Sequence, residues 1–400
     1  MNPGNAPRPR KLGRFALLWL AGIDLRITLL CVPPMIPAIH RDLGLNEKGI
    51  ALLTGLPVLL LAFAAVPGSL LVSRIGARRA IIAGLLVVAI AGALRGAGPS
   101  TAALLAMTLV MGVGIAVMQP AFPTVVRQWL PDQVGRATAV YSNGLLLGEV
   151  IAAALTIPVV LPLVGQSWGR GLATWSLPVI ACAALMAFFT PHARAARDVP
   201  RVRWWPHWRS AATWRMGLVF GAASMLYWGF NAFIPDYLRG SQRAGLIAPA
   251  LTFLNLAQIP ASLLIAGFPR SVGRRSAFIG TGILTLLSVV GFLAMPGVWA
   301  VVWAGAAGFC AAAILVLVLA LPPLIAAPDD VHRLSAGIFT ITYSCSFFGP
   351  LVAGALWDAT GVGAAAFLPA LIAGPAIILL ALGLQLPQPG AQPRGQVEAA

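Results

Sequence analysis

Asp24, Arg26 and Glu149 are the residues best placed to do chemistry, because each lies inside a long apolar run. A charge in such a setting, if the run crosses a bilayer, costs about 2.5–3.5 kcal/mol unless it meets water, a counter-ion or a ligand. The Arg26 guanidinium offers five donors in a planar fork, a shape suited to a carboxylate or a small linear anion. Glu149 sits in Gly144-Leu-Leu-Leu-Gly148-Glu149, where the glycines allow close helix approach. Low dielectric disfavours its charged form, which suits a proton-coupling group. Asp24 is a second coupling candidate on the same logic. Asp24 and Arg26 are two positions apart, about 200° around a helix, so direct pairing between them is not expected. An Arg26–Glu149 pair that only fixes packing is the competing account.

Neutral polar groups in other apolar runs could complete a site: Gln119, Tyr141, Asn143, Tyr227, Asn231, Asn255, Gln258 and Tyr343. Tyr227 and Asn231 are four apart and share a helix face. Each group could instead bond a neighbouring helix, worth on average about 0.6 kcal/mol. Arg95 falls near the end of its run, where a snorkelling side chain is expected. The four cysteines lie singly, and His40, His192, His207 and His332 form no metal pattern, so neither metal nor cofactor is expected. There is no His-Glu-x-x-His, no suitably placed Gly-x-Ser-x-Gly and no phosphate loop, which argues against an enzyme or an ATP-driven pump.

The elements that must hold these residues are membrane helices. The 400-residue chain is 59% hydrophobic and 10% charged, against about 45–50% apolar and 25% charged in soluble domains. Crossing a hydrocarbon core takes about 20 mainly apolar residues, and unbroken runs rather than alternation exclude a barrel. Twelve spans are expected, at 14–37, 49–73, 79–97, 102–126, 134–159, 171–190, 214–237, 246–267, 277–295, 298–322, 334–356 and 362–385. Of the 27 Lys and Arg, 20 fall in the tails and even-numbered connections. That bias places both termini in the cytoplasm and accounts for the net charge of +16 without nucleic acid. Arg outnumbers Lys 25 to 2, which points to a high-GC bacterial genome and a bacterial inner membrane.

The connection 191–213 mixes Arg with Trp204, Trp205 and Trp208, as suits the headgroup layer. It divides the chain into 1–190, a linker 191–213, and 214–400. A repeat supports the division. Arg78 and Arg275, Gly76 and Gly273, and the Pro131-Asp132 and Pro328-Asp329 blocks are each 197 positions apart. Parallel six-helix halves with substrate near the midplane between them are one known transporter design.

Ser69 to Arg79 resembles the signature loop of the major facilitator superfamily, Gly-x-Leu-x-Asp-Arg-x-Gly-Arg-Arg. Leu71, Arg74, Gly76, Arg78 and Arg79 match, while Ser69 and Ser73 replace its first Gly and its Asp. The resemblance implies a gating loop here, and another at Arg270, Gly273 and Arg275. More of the chain is similar to the cyanate and 2-nitroimidazole permeases. The similar pieces are Asp24-Leu25-Arg26, then Pro33, Pro34 and Pro37, the Leu56-Pro57-Val58-Leu59 run, Leu94-Arg95, Tyr227 with Pro235, and Gly349-Pro350 to Asp358 and Gly361. Asp24 stands where that family usually has Asn.

The expected protein is therefore all-α, with twelve transmembrane helices as two pseudo-symmetric six-helix bundles. It is expected to act as a monomer on a small-molecule substrate in the lipid bilayer, by alternating access, with protons as a possible coupling ion. A small anion or small polar solute held by Arg26, Tyr141, Asn143, Tyr227, Asn231, Gln258 and Tyr343 is the first reading. Proton-coupled efflux of a drug-like or cationic compound through Asp24 and Glu149 is the second, and a non-transporting membrane sensor is a remote third.

Overall fold

Apolar side chains around every helix, as in span 10 (Val298–Ala320), leave the backbone one way to satisfy its polar groups in hydrocarbon, which is along the helix itself. The computed structural model describes residues 11–44, 47–98, 100–190, 204–295, 297–384 and 386. Among the described residues there is no strand. The remaining spans in the first half are 1 (Lys11–Leu30), 2 (Glu47–Ile75), 3 (Ala77–Leu94), 4 (Thr101–Trp129), 5 (Val134–Leu155) and 6 (Trp168–Phe189). The second half holds 7 (Ala211–Gly240), 8 (Ile247–Gly267), 9 (Arg275–Ala294), 11 (Val331–Thr360) and 12 (Leu368–Leu382). Eleven described helices are long and apolar enough to cross a membrane, and up to twelve if a pair bent by 51°, Pro131–Ala152 with Thr156–Leu163, is one span.

Proline sets the departures from the expected bounds. Span 1 stops at Leu30 because Pro33 and Pro34 lack the N–H groups that would return to Leu29 and Leu30. A 3-10 turn, Pro33–Met35, and a short helix, Ile36–Leu43, follow. Span 8 breaks at Ala257, because Pro260 has no donor for the Leu256 carbonyl.

Within the first half, span 1 packs on span 5, and spans 2 and 3 on span 4. Gly144 and Gly148 make the span 1–5 contact possible: a Cβ there would lie 2.3 Å from the Trp19 carbonyl oxygen and 2.4 Å from that of Ile23. In the second half, span 7 packs on span 11 and span 9 on spans 10 and 12. Between the halves, span 2 meets span 11 and span 5 meets span 8, two contacts related by the repeat.

The 197-residue offset also appears in hydrogen bonds. Arg78 Nη2 donates to the Ala187 carbonyl at 2.6 Å, at the end of span 6. Arg275 Nη2 donates to the Leu384 carbonyl at 3.3 Å, just past span 12. A guanidinium on unpaired carbonyls at a helix C-terminus also meets the negative end of the helix dipole. The glycines of the two loops differ. Gly76 has φ +83°, a value side-chain residues rarely adopt, whereas Gly273 closes a 3-10 turn, Pro269–Gly273.

Candidate functional site

Rotation along span 1 decides which charge reaches the seam between the halves. Arg26 reaches it, with Nη1 3.4 Å from Glu149 Oε1 of span 5. Both side chains keep some exposure, 14% and 13%. Across the seam, the Tyr227 hydroxyl lies 2.7 Å from Asn255 Oδ1 and 3.3 Å from Glu149 Oε2. A phenol carries one proton, so donation to Asn255 leaves its oxygen free to accept from a protonated Glu149. Asn255 stands two residues before the break in span 8. Its amide donates to the Leu251 carbonyl at 2.8 Å and approaches Asn231 Oδ1 at 3.4 Å. Gln258 Nε2 lies 3.4 Å from Asn255 Oδ1, and Asn231 donates to the Tyr227 carbonyl at 2.9 Å. One ion pair and a chain of phenol and amides therefore join spans 1, 5, 7 and 8.

Beside it, Gln119 Nε2 of span 4 donates to the Tyr343 hydroxyl of span 11 at 2.8 Å. Arg26, Gln119, Phe220, Phe339 and Tyr343 line a cavity of about 20 Å³ that takes walls from both halves. That volume holds little more than a water molecule.

Other expected site residues lie elsewhere. Asp24 is 3% exposed and faces Cys182 of span 6, inside the first half. The turn of about 200° from Arg26 carries it away from the seam. Tyr141 is 2% exposed and stacks on Phe122 of span 4 at 5.2 Å, and it does not line that cavity. Asn143 lies nearer the end of the bundle where span 1 begins. Its Oδ1 accepts from Trp19 Nε1 and its Nδ2 donates to Ser262 Oγ, both at 3.0 Å. Arg95 does not snorkel. It is 1% exposed, and Nη2 donates to the Thr28 carbonyl at 2.6 Å.

The end where span 1 begins and span 12 stops is closed by bonds between the halves. Besides Asn143–Ser262, Arg127 donates to the Ala326 carbonyl. Ser69, in the first position of the signature loop, donates to the Trp204 carbonyl at 2.8 Å. Arg333 ties the same stretch to span 11 by donating to the Trp205 carbonyl at 3.0 Å. Ser73 bonds back to the Leu70 carbonyl within its own helix. Arg74 and Arg79 are exposed, and the Arg270 side chain lies outside the described residues, as do residues 191–203 of the linker. Residue type alone did not single out Ser262, Arg127 or the Ser69–Trp204 bond. The signals present were Ser69 in place of Gly and the Trp cluster after the linker arginines.

A helical bundle with eleven to twelve candidate spans among the described residues, and a polar site where its halves meet, has the architecture of a membrane transporter. The Major Facilitator Superfamily pattern matches residues 16–254, more than half of the chain, and the chain belongs to that superfamily. The cyanate transport protein CynX of Escherichia coli K12 is 29% identical over 296 residues, 73% of this chain and 76% of that protein. The 2-nitroimidazole transporter of the same strain is 27% identical over 362 residues, 87% and 90%. Among solved structures, the E. coli fucose:proton symporter FucP has a TM-score of 0.72 at 14% identity, covering 92% of this chain and 98% of that one. The human organic anion transporter MFSD10 has a TM-score of 0.73 at 15% identity, covering 94% and 100%. Those two likenesses concern the fold.

Proposed function

We propose that this transporter moves a small anion, with Arg26 as its anchor and Glu149 as the proton-coupling group. The observation that carries the reading is the Arg26–Glu149 contact at the seam, backed by Tyr227. With the pair intact the site is neutral. An incoming anion competes with Glu149 for the guanidinium, and a displaced Glu149 takes up a proton and donates to the Tyr227 oxygen. Anion and proton then bind together, and the site charge is unchanged before and after loading. Tyr343 and Gln119 line the same cavity as Arg26, where a short anion would extend. Gln258, Asn231 and Asn255 hold Tyr227 in place rather than contacting the solute.

Halves 1–190 and 214–400 would rock about this site, with both termini in the cytoplasm and the chain acting as a monomer in a bacterial inner membrane. The bonds at the terminal-bearing end would break as that end opens, with Arg74, Gly76, Arg78, Arg79, Arg270, Gly273 and Arg275 forming its turns. Cyanate is the first solute to test, because the similar E. coli CynX is a cyanate transport protein.

A second reading is a neutral flat solute such as a nitroimidazole. It is favoured by the neutral pair and by Phe220 and Phe339 on the cavity wall. Efflux of a cation is less well supported, because Glu149 already faces Arg26 and Asp24 faces away.

A thermal-shift screen of wild type and Arg26→Gln against cyanate, nitrate, short carboxylates, 2-nitroimidazole and lipophilic cations separates these readings. A ligand at 100 times its Kd stabilises the folded state by about 2.7 kcal/mol. The anion reading requires stabilisation of wild type alone. Equal stabilisation of both proteins by neutral or cationic compounds sinks it.

A further inference from the structure

A groove of about 320 Å³ runs between spans 1 and 5 of the first half and span 8 of the second, at the terminal-bearing end and apart from the central cavity. Phe15, Trp19, Val140, Leu263 and Ala266 give it apolar walls, and Asn143 is its one polar lining group. Leu12 and Leu263 form its lip at 78% and 56% exposure. In a membrane span, exposed apolar side chains face hydrocarbon, so the groove opens sideways into lipid. Its outer rim is basic. Arg136, one turn before Val140, is exposed with its guanidinium 5.9 Å from the Phe15 ring centroid, and exposed Lys11 precedes Leu12. Apolar walls open to lipid and cations at the headgroup level together fit one occupant, a phospholipid with an anionic headgroup.

We infer that this groove binds the acyl chain of an acidic phospholipid whose phosphate sits against Arg136 and Lys11, and that the bound lipid favours closure of the terminal-bearing end. The second part follows from where the walls come from. Leu263 and Ala266 belong to one half and the other lining residues to the other half. The Asn143–Ser262 bond crosses the seam at the same place. A chain lying against both walls gains contact only while they are together, so a ligand with that preference shifts the population toward closure. This inference does not depend on the identity of the transported solute.

Native mass spectrometry of the full-length protein, stripped of lipid and titrated with phosphatidylglycerol or phosphatidylethanolamine of identical chains, tests it. Wild type should retain one phosphatidylglycerol at least about tenfold more tightly than phosphatidylethanolamine, a difference of about 1.4 kcal/mol. Leu263→Trp fills the groove from an exposed position and should abolish that retention. Arg136→Gln, on an exposed side chain, should remove the preference for phosphatidylglycerol while leaving weak binding of both lipids. Spin-label distances across the span 5–8 seam should shift toward the closed value when phosphatidylglycerol is added. Equal retention of the two lipids by wild type, retention unaffected by Leu263→Trp, or full competition by glycerol phosphate without acyl chains would overturn the assignment. Displacement of the lipid by a transported lipophilic solute would show a substrate portal instead.

Discussion

The two halves repeat one six-helix pattern, yet they bring different chemistry to the seam. In the first half, spans 1 and 5 bring Arg26 and Glu149 to the seam. The second half meets them with Tyr227, Asn231, Asn255, Gln258 and Tyr343, none of them charged. Structural bonds such as Arg78–Ala187 and Arg275–Leu384 keep the 197-residue symmetry, while the site does not. Equivalence is kept where helices must be capped and turned in both halves, and dropped where a ligand must be told apart. On this view the first half supplies the charge that holds the solute. The second supplies donors and acceptors that can follow either protonation state.

Predictions that break or sharpen this contrast are ordered by size. Arg26→Gln removes one partner of a desolvated charge pair, which costs about 2–5 kcal/mol. Binding of the transported anion should weaken at least about 30-fold in equilibrium titration, with the melting temperature little changed because Glu149 can take a proton. An equal loss of stability would favour a packing role. Tyr227→Phe removes the donor to Asn255 and the oxygen that accepts from a protonated Glu149, two neutral hydrogen bonds worth about 0.5–1.5 kcal/mol each. Transport in proteoliposomes should fall by about tenfold or more, and an unchanged rate would remove Tyr227 from the coupling network. Asn255→Ala should lower affinity only about two- to tenfold, as for a neutral hydrogen bond; a loss as large as that of Arg26→Gln would contradict the division of labour between halves. Asp24→Asn is the smallest change. Because Asp24 faces Cys182 inside the first half, anion affinity should stay within about twofold of wild type. Loss of pH-dependent transport in that variant would instead make Asp24 a coupling group.

Much of this arrangement was legible in the sequence. Long apolar runs gave the spans, and the 197-residue offset gave the two halves. The separation of Asp24 from Arg26 followed from helix rotation alone. Rotation within one helix cannot say which neighbour a residue meets, however, and the less legible features were decided by neighbours. Asn143 has the same residue type as Asn231 and a similar apolar context, yet packing against span 8 turns it to Ser262 and the lipid-facing groove. Arg95 looked like a snorkelling residue because it ends a span. The break before Pro33 shifts the Val32 N–H to the Leu29 carbonyl and leaves the Thr28 carbonyl to accept from Arg95 and the Cys31 thiol, so the guanidinium is drawn inward. Proline signalled the break in span 1, but not which side chain would cap it.

The most direct test is calorimetric titration of the anion identified by thermal shift, in buffers of different ionisation enthalpy. Comparing buffers reports the protons taken up per anion bound. If Glu149 yields Arg26 to the anion and takes a proton, wild type should take up about one proton per anion in the pH range where Glu149 starts ionised. Binding should then weaken as pH rises. Glu149→Gln should bind the anion with no proton uptake and no such pH dependence. Binding by wild type without proton uptake throughout the accessible pH range, or uptake that survives Glu149→Gln, would contradict the account.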